Sequence, residues 1–293
     1  MKIKPIFLFL IVLTPLHSYA QEIKLKAPVG FDQIQKDNPK GRLDTVFYPS
    51  ATVGVDRKAM VYTPPHYSVE KTYPVLYLLH GIGGDENEWL REGSAQMIFD
   101  NLYAAEKLRE MIVVFPNGRA MKDDRAIGNI FDSLKVKAFS DFEADLINDL
   151  IPFIEKHYSV IKNRESRALA GLSMGGGQSL NFGLGNLEKF AWVGGFSSAP
   201  NTGQAWEIIP NPEEVKNKLN LLWISCGLDD NLLPVSQKTH EYLKENGVPH
   251  IYFLEPGGHD FNVWKNDLFL FPQLLFIDLD KSEFPKYTMV ERN

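Results

Sequence analysis

Ser173 stands inside Gly171-Leu-Ser-Met-Gly175, a G-x-S-x-G pattern, with the apolar run 167–170 before it and a helix-compatible segment, 178–184, after it. A serine on a tight strand-to-helix turn can attack a carbonyl carbon, because the turn lifts Oγ clear of the backbone and sets it at the positive end of a helix. Glycine at 171 and 175 removes Cβ atoms that would clash in such a turn. A glycine-rich nucleotide-binding turn is the competing reading, but no G-x-G-x-x-G or G-K-[ST] accompanies the serine.

A serine nucleophile needs a base, and the chain has seven histidines. His259 follows the apolar run 251–254 and the turn Glu255-Pro-Gly-Gly258, the place for a base carried on a loop after a late strand. His17 lies in the first twenty residues, His240 within a helical pattern and His250 directly before a strand; His66 and His157 have no comparable setting. The acid that orients the imidazole should lie between Ser173 and His259, in the loop after a strand. Residues 221–226 supply the strand and Gly227-Leu-Asp-Asp230 the loop, and spacing alone does not choose between Asp229 and Asp230. Two backbone N–H donors must meet the oxyanion. Met174, next to the nucleophile, supplies one, and Ile82 in His80-Gly-Ile-Gly-Gly84 supplies the other. His80 then orders that loop and is not the base.

These residues must be held by a sheet. Residues 57–63, 74–79, 111–115, 167–170, 190–196, 221–226 and 251–254 read as strands, and the short apolar runs among them suit strands buried on both faces. Between them, 141–158 carries apolar residues on one helical face, with Asp141, Glu143 and Asp145 in its first turn and Pro152 set to kink or divide it. Residues 264–277 read as a closing helix disturbed by Pro272. Alternating strands and helices predict an α/β three-layer sandwich with a mostly parallel central sheet. Residues 44–293 read as one domain behind an N-terminal arm, 21–43, expected to be loosely docked.

The first twenty residues differ. Lys2 and Lys4 precede an apolar run, 5–16, and Ser18 and Ala20 occupy the small-residue positions of a cleavage site, which predicts a signal peptide at 1–20 and a secreted or periplasmic protein. The run is too short for a membrane span, so no membrane association is expected after its removal. The formal net charge of -6 argues against nucleic acid as a partner. The single cysteine, Cys226, excludes an intramolecular disulfide and a cysteine-ligated metal cluster, and reads as a buried thiol. Nothing in the sequence speaks to oligomeric state.

The segments 77–84, 171–178 and 257–264 together resemble the esterase D-like α/β-hydrolases, and more narrowly carbohydrate esterase family one, the feruloyl and acetylxylan esterases. The resemblance implies the α/β-hydrolase fold and a Ser-Asp-His triad, with no metal or organic cofactor. Its Cys-Gly-x-x-Asp segment falls on residues 226–230, which selects Asp230. It also implies feruloylated or acetylated xylan fragments as substrates. A feruloyl ring needs an apolar, partly aromatic slot, for which Trp89, Phe131 and Trp264 are the expected walls. Feruloyl ester hydrolysis is the first expectation and acetylxylan ester hydrolysis the second. An acyltransferase with a sugar acceptor, or a carbohydrate-binding protein without catalysis, would share the fold.

Overall fold

The computed structural model describes residues 26–287, and the predicted signal peptide lies outside the described residues. Eight strands form one sheet in the order β1-β2-β4-β3-β5-β6-β7-β8. They are β1 (Arg42–Ser50), β2 (Val55–Thr63), β3 (Val75–Leu79), β4 (Ile112–Pro116), β5 (Arg167–Leu172), β6 (Trp192–Phe196), β7 (Leu221–Gly227) and β8 (Ile251–Glu255). β1 and β2 pair antiparallel, β2 joins β4 antiparallel, and every later pairing is parallel. The predicted mostly parallel sheet is therefore present, with an antiparallel ribbon at one edge.

The helices are α1 (Glu88–Arg91), α2 (Ala95–Ala104), α3 (Ser133–Asp145), α4 (Ile151–His157), α5 (Ser173–Gly185), α6 (Ala205–Ile208), α7 (Pro212–Lys218), α8 (Leu233–Glu245) and α9 (Phe261–Leu270). Alternation along β3 divides the core. Val75, Tyr77 and Leu79 face α3, α4, α5 and α8, through residues such as Phe142, Ile154, Leu180 and Leu243. Leu76 and Leu78 face α2 and α9, through Ile98, Phe99, Val263 and Leu268. Both faces are covered, which explains why β3, β4 and β5 are buried along their whole length. The sandwich has three layers, as the alternating pattern predicts.

Several boundaries differ from the sequence reading. β1 was not expected, and its start at Arg42 cuts into the predicted arm of 21–43. The remainder of the arm is tied down more firmly than expected. The Ala27 N–H donates to Asn266 Oδ1 at 2.8 Å, Asn101 Nδ2 donates to the Phe31 and Gln33 carbonyls, and Lys265 pairs with Asp32 at 2.9 Å. The strand predicted at 190–196 begins at Trp192. The helix predicted from Asp141 begins at Ser133, where the Asp132 side chain accepts from the Leu134 N–H and caps it. Asp141, Glu143 and Asp145 thus lie near its end, and Asp145 is a buried partner of Arg57 at 2.5 Å. The expected division does occur: a π turn over Leu146–Leu150 separates α3 from α4, with Pro152 in the first turn of α4, where its missing N–H is harmless. The closing helix starts at Phe261 under the Asp260 cap and passes into a 3₁₀ turn, Phe271–Leu274, at Pro272. No helix among the described residues is long and apolar enough to cross a membrane.

Candidate active site

Ser173 is the first residue of α5, directly after β5, and its φ of 52° is left-handed. A non-glycine residue in that region is strained, and such strain persists only where the surroundings over-determine it. They do so here. A Cβ at Gly175 would come within 2.6 Å of the His80 carbonyl oxygen, so only glycine lets α5 begin this close to the end of β3. A Cβ at Gly81 would meet Leu172 Cδ1 at 2.8 Å and Ser173 Cβ at 3.6 Å, which sets the loop after β3 beside the serine.

His259 sits on the loop between β8 and α9. Its Nε2 is 2.9 Å from Ser173 Oγ, and its Nδ1 is 2.8 Å from Asp230 Oδ2. Asp230, on the loop after β7, is buried, and its Oδ1 accepts the Leu232 N–H at 2.7 Å. Burial alone would raise the Asp230 carboxyl, but the hydrogen bond from His259, the Leu232 amide and the Ser197 hydroxyl outweigh it and hold the group below its ordinary value. The Asp230 carboxylate therefore stays ionised beside the His259 imidazole. Asp229, the alternative that spacing left open, does not reach His259; its N–H donates to the Gly257 carbonyl at 2.9 Å and so ties down the loop that bears the histidine.

The other histidines lie elsewhere. His80 is buried, with Nε2 accepting the Gly118 N–H at 2.8 Å and Nδ1 donating to the Gly81 carbonyl at 2.7 Å. Burial pushes its pKa down to about 4, so it is a neutral brace for the loop. His240 and His250 bond each other at 2.7 Å, His250 preceding β8 at the end opposite His259. Cys226 is buried, and burial together with the Asp230 charge pushes its thiol up to about 12, which keeps it protonated and unreactive.

Ile82 and Met174 share a small apolar cluster with Val136, Phe139, Ala199 and Leu232. Met174 is the second residue of α5, so its N–H is one of those a helix leaves without an internal acceptor. The predicted aromatic walls fare differently. Trp264 meets the His259 ring edge-on at 4.8 Å. Trp89 is a core residue: it is buried, its indole N–H donates to the Leu79 carbonyl at 2.9 Å, and its ring packs on Phe196 and Phe261. Phe131 is 70% exposed in the segment before α3. Val136, Phe139 and Leu232 were missed because α3 begins eight residues earlier than the sequence pattern suggested, and Leu232 follows the acid in a loop without periodicity.

This geometry, a hydroxyl, imidazole and carboxylate in line on a strained elbow, can carry acyl transfer. The Esterase family model matches residues 50–271, which include Ser173, Asp230 and His259. The chain belongs to the esterase family. Over 254 residues this esterase is 33% identical to an endo-1,4-beta-xylanase/feruloyl esterase of Xylanibacter ruminicola, a match covering 84% of this chain and 33% of that protein. The chain thus spans about a third of the length of that relative. It is 25% identical over 227 residues to an acetyl esterase of Caldicellulosiruptor saccharolyticus, covering 64% of this chain and 78% of that one. Among solved structures it is similar to a CE1 ferulic acid esterase of the anaerobic fungus Anaeromyces mucronatus in complex with ferulic acid, with 29% identity and a TM-score of 0.78 over 88% of this chain and 99% of that one. The resemblance to carbohydrate esterase family one and the α/β-hydrolase fold are borne out.

Proposed function

We propose that this esterase is secreted and hydrolyses feruloyl and related hydroxycinnamoyl esters on xylan fragments, with Ser173 as nucleophile, His259 as general base and Asp230 as orienting acid. The observation that carries the reading is the continuous hydrogen-bonded line from Ser173 Oγ through His259 to Asp230, at 2.9 and 2.8 Å. In the first step His259 Nε2 takes the Ser173 proton as Oγ bonds to the ester carbonyl carbon, and the Ile82 and Met174 N–H groups receive the oxyanion. The tetrahedral intermediate then breaks its bond to the sugar oxygen, which leaves with the proton held by His259. Water attacks the acyl-serine by the same steps in reverse roles, releasing the acid and restoring the Ser173 hydroxyl.

The aromatic acyl group is supported by the apolar cluster beside Ser173 and by the likeness to a ferulic acid esterase. Xylan as the carrier rests on the relative that is also a xylanase, and export on the basic and apolar pattern of residues 1–20. A second reading, hydrolysis of acetyl esters on the same polymer, draws on the likeness to an acetyl esterase. Parallel assays on methyl ferulate and acetylated xylo-oligosaccharides, with Ser173→Ala as control, separate the two. Ferulate release abolished by the substitution is the expected result. Acetate release alone would assign the acetyl reading, and no release from either would overturn both.

A further inference from the structure

Arg119 follows β4 in the Pro-Asn-Gly-Arg turn, where an arginine would ordinarily reach solvent, yet it is fully buried. Among the described residues no carboxylate lies within ion-pairing distance of it, although Asp85, Asp123 and Asp124 are close enough to act on its charge. Its bonds go to carbonyls instead: Nη2 donates to the Ile82 carbonyl and Nη1 to the Asp124 carbonyl, both at 2.6 Å. The guanidinium also lies over the Phe139 ring, 4.9 Å from its centre, and Phe139 belongs to the cluster containing Ile82 and Met174. The backbone of Arg119 is fixed as firmly. Its N–H donates to Asn117 Oδ1 at 2.9 Å, and Arg57 Nη2 bonds its carbonyl at 2.8 Å and that of Asn117 at 2.7 Å. Arg57 in turn is anchored on Asp145.

Burying an arginine without a carboxylate is costly. What the arginine holds explains it. Along the loop after β3, the Gly81 N–H is held by Glu88 Oε2 at 2.8 Å, and the Gly81 carbonyl by His80 Nδ1 and by the Gly84 N–H. The Ile82 carbonyl is held by Arg119. Among these groups only the Ile82 N–H has no acceptor among the described residues, and the loop lies against Ser173. The Gly81 carbonyl, held by His80 Nδ1 and the Gly84 N–H, sets the peptide plane that carries the Ile82 N–H, and the charge-assisted bond from Arg119 to the Ile82 carbonyl restrains the next plane, so that Ile82 is held on both sides. We infer that Arg119 is a positioning residue of the oxyanion hole, acting through the Ile82 backbone to favour the tetrahedral intermediate over the bound ester.

The inference rests on the reading of Ser173 and Ile82 above. It is tested by steady-state kinetics of Arg119→Met and Arg119→Lys on methyl ferulate, beside Ser173→Ala, with the affinity of each for an aryl trifluoromethyl ketone, which forms a tetrahedral adduct. Arg119→Met should lower kcat about 100-fold with KM within about threefold, and weaken the ketone by the same factor, the scale set by a small misplacement of a catalytic group. Arg119→Lys, which keeps the charge but replaces the planar fork with a single nitrogen, should recover part of both. If Arg119→Met does not fold, Arg119→Lys carries the test alone, with kcat and ketone affinity falling together. Wild-type kcat in either folded variant, or a loss of kcat with ketone affinity unchanged, overturns the inference while an inactive Ser173→Ala leaves the proposed function standing. Activity retained by Ser173→Ala instead overturns the proposed function itself.

Discussion

His80 and His259 occupy corresponding places, each just beyond the C-terminal end of a parallel strand, and the protein uses them in opposite ways. His80 is enclosed between β3 and the turn after β4, with both ring nitrogens committed to backbone groups. His259 sits on a Pro-Gly-Gly loop with its side chain about a third exposed, one nitrogen on a carboxylate and the other on a hydroxyl. Burial takes from His80 the ability to carry a proton near neutral pH, whereas Asp230 gives His259 a partner for the imidazolium. Position in the fold brings both rings to the site, and their hydrogen-bond partners divide the roles.

The contrast breaks first at the serine they flank. Ser173→Ala should lower kcat on the order of 10⁶-fold with the fold intact by circular dichroism. Asp230→Asn should cost about 10⁴-fold in kcat, because His259 loses its tautomer and its counter-ion. Asp229→Asn should stay within about threefold of wild type, since only its backbone is engaged; equal losses in the two variants would remove the distinction between them. His80→Ala sharpens the comparison from the other side. It orphans the Gly118 N–H, for about 1–3 kcal/mol, and removes one of the two donors to the Gly81 carbonyl. Thermal melts should register the loss, while the pH dependence of kcat/KM keeps its midpoint; a moved midpoint would give His80 a share in proton transfer.

The pH dependence of stability separates the rings again. The folded pKa of His80, about 4, lies below the ordinary value of 6.5, so the unfolded chain binds the extra proton first. Stability tied to neutral His80 is complete above pH 6.5, falls as pH drops from 6.5 to 4, and changes no further below. The difference in Tm between wild type and His80→Ala should therefore shrink across that window. Asp230 contributes in the opposite chemical sense but in the same direction of pH: its depressed carboxyl stabilises above the ordinary carboxylate value and loses that contribution as pH falls through the folded one. The smallest effect is expected where β8 meets α9: burial, reinforced by the Asp267 charge, raises Glu255 to about 8, and burial raises Asp267 to about 7. Their protonated forms favour the fold, and stability falls as pH rises from the ordinary carboxylate range to those values and changes no further above them. Asp267→Asn should therefore raise Tm more at pH 9 than at pH 3, where the native carboxyl is protonated in both states.

The sequence made the proposed triad legible because few residue types can do this chemistry, and each of Ser173, Asp230 and His259 sits at a strand end marked by glycine. The parallel strands were legible as short apolar runs because helices cover both faces. β1 was not: it is an edge strand with one open face, so Phe47 at 63% exposed and the alternating polar residues gave no continuous run. The start of α3 was obscured because Leu134 points to solvent and the capping Asp132 follows the exposed Phe131. The choice between Asp229 and Asp230 depends on which side chain the turn after β7 directs at His259, a matter of backbone direction that spacing does not encode. Arg119 was invisible for a deeper reason. Its burial is set by carbonyls from Ile82 and Asp124, one of them 37 residues distant, and by the Arg57–Asp145 pair beneath.

The most direct test of the central claim is acid quenching of the enzyme during turnover of methyl ferulate, followed by peptide mass mapping. The account predicts a feruloyl adduct on the peptide containing Ser173, absent from Ser173→Ala and accumulating when deacylation is slowed. An adduct on another residue, or full turnover by Ser173→Ala without any adduct, would contradict it.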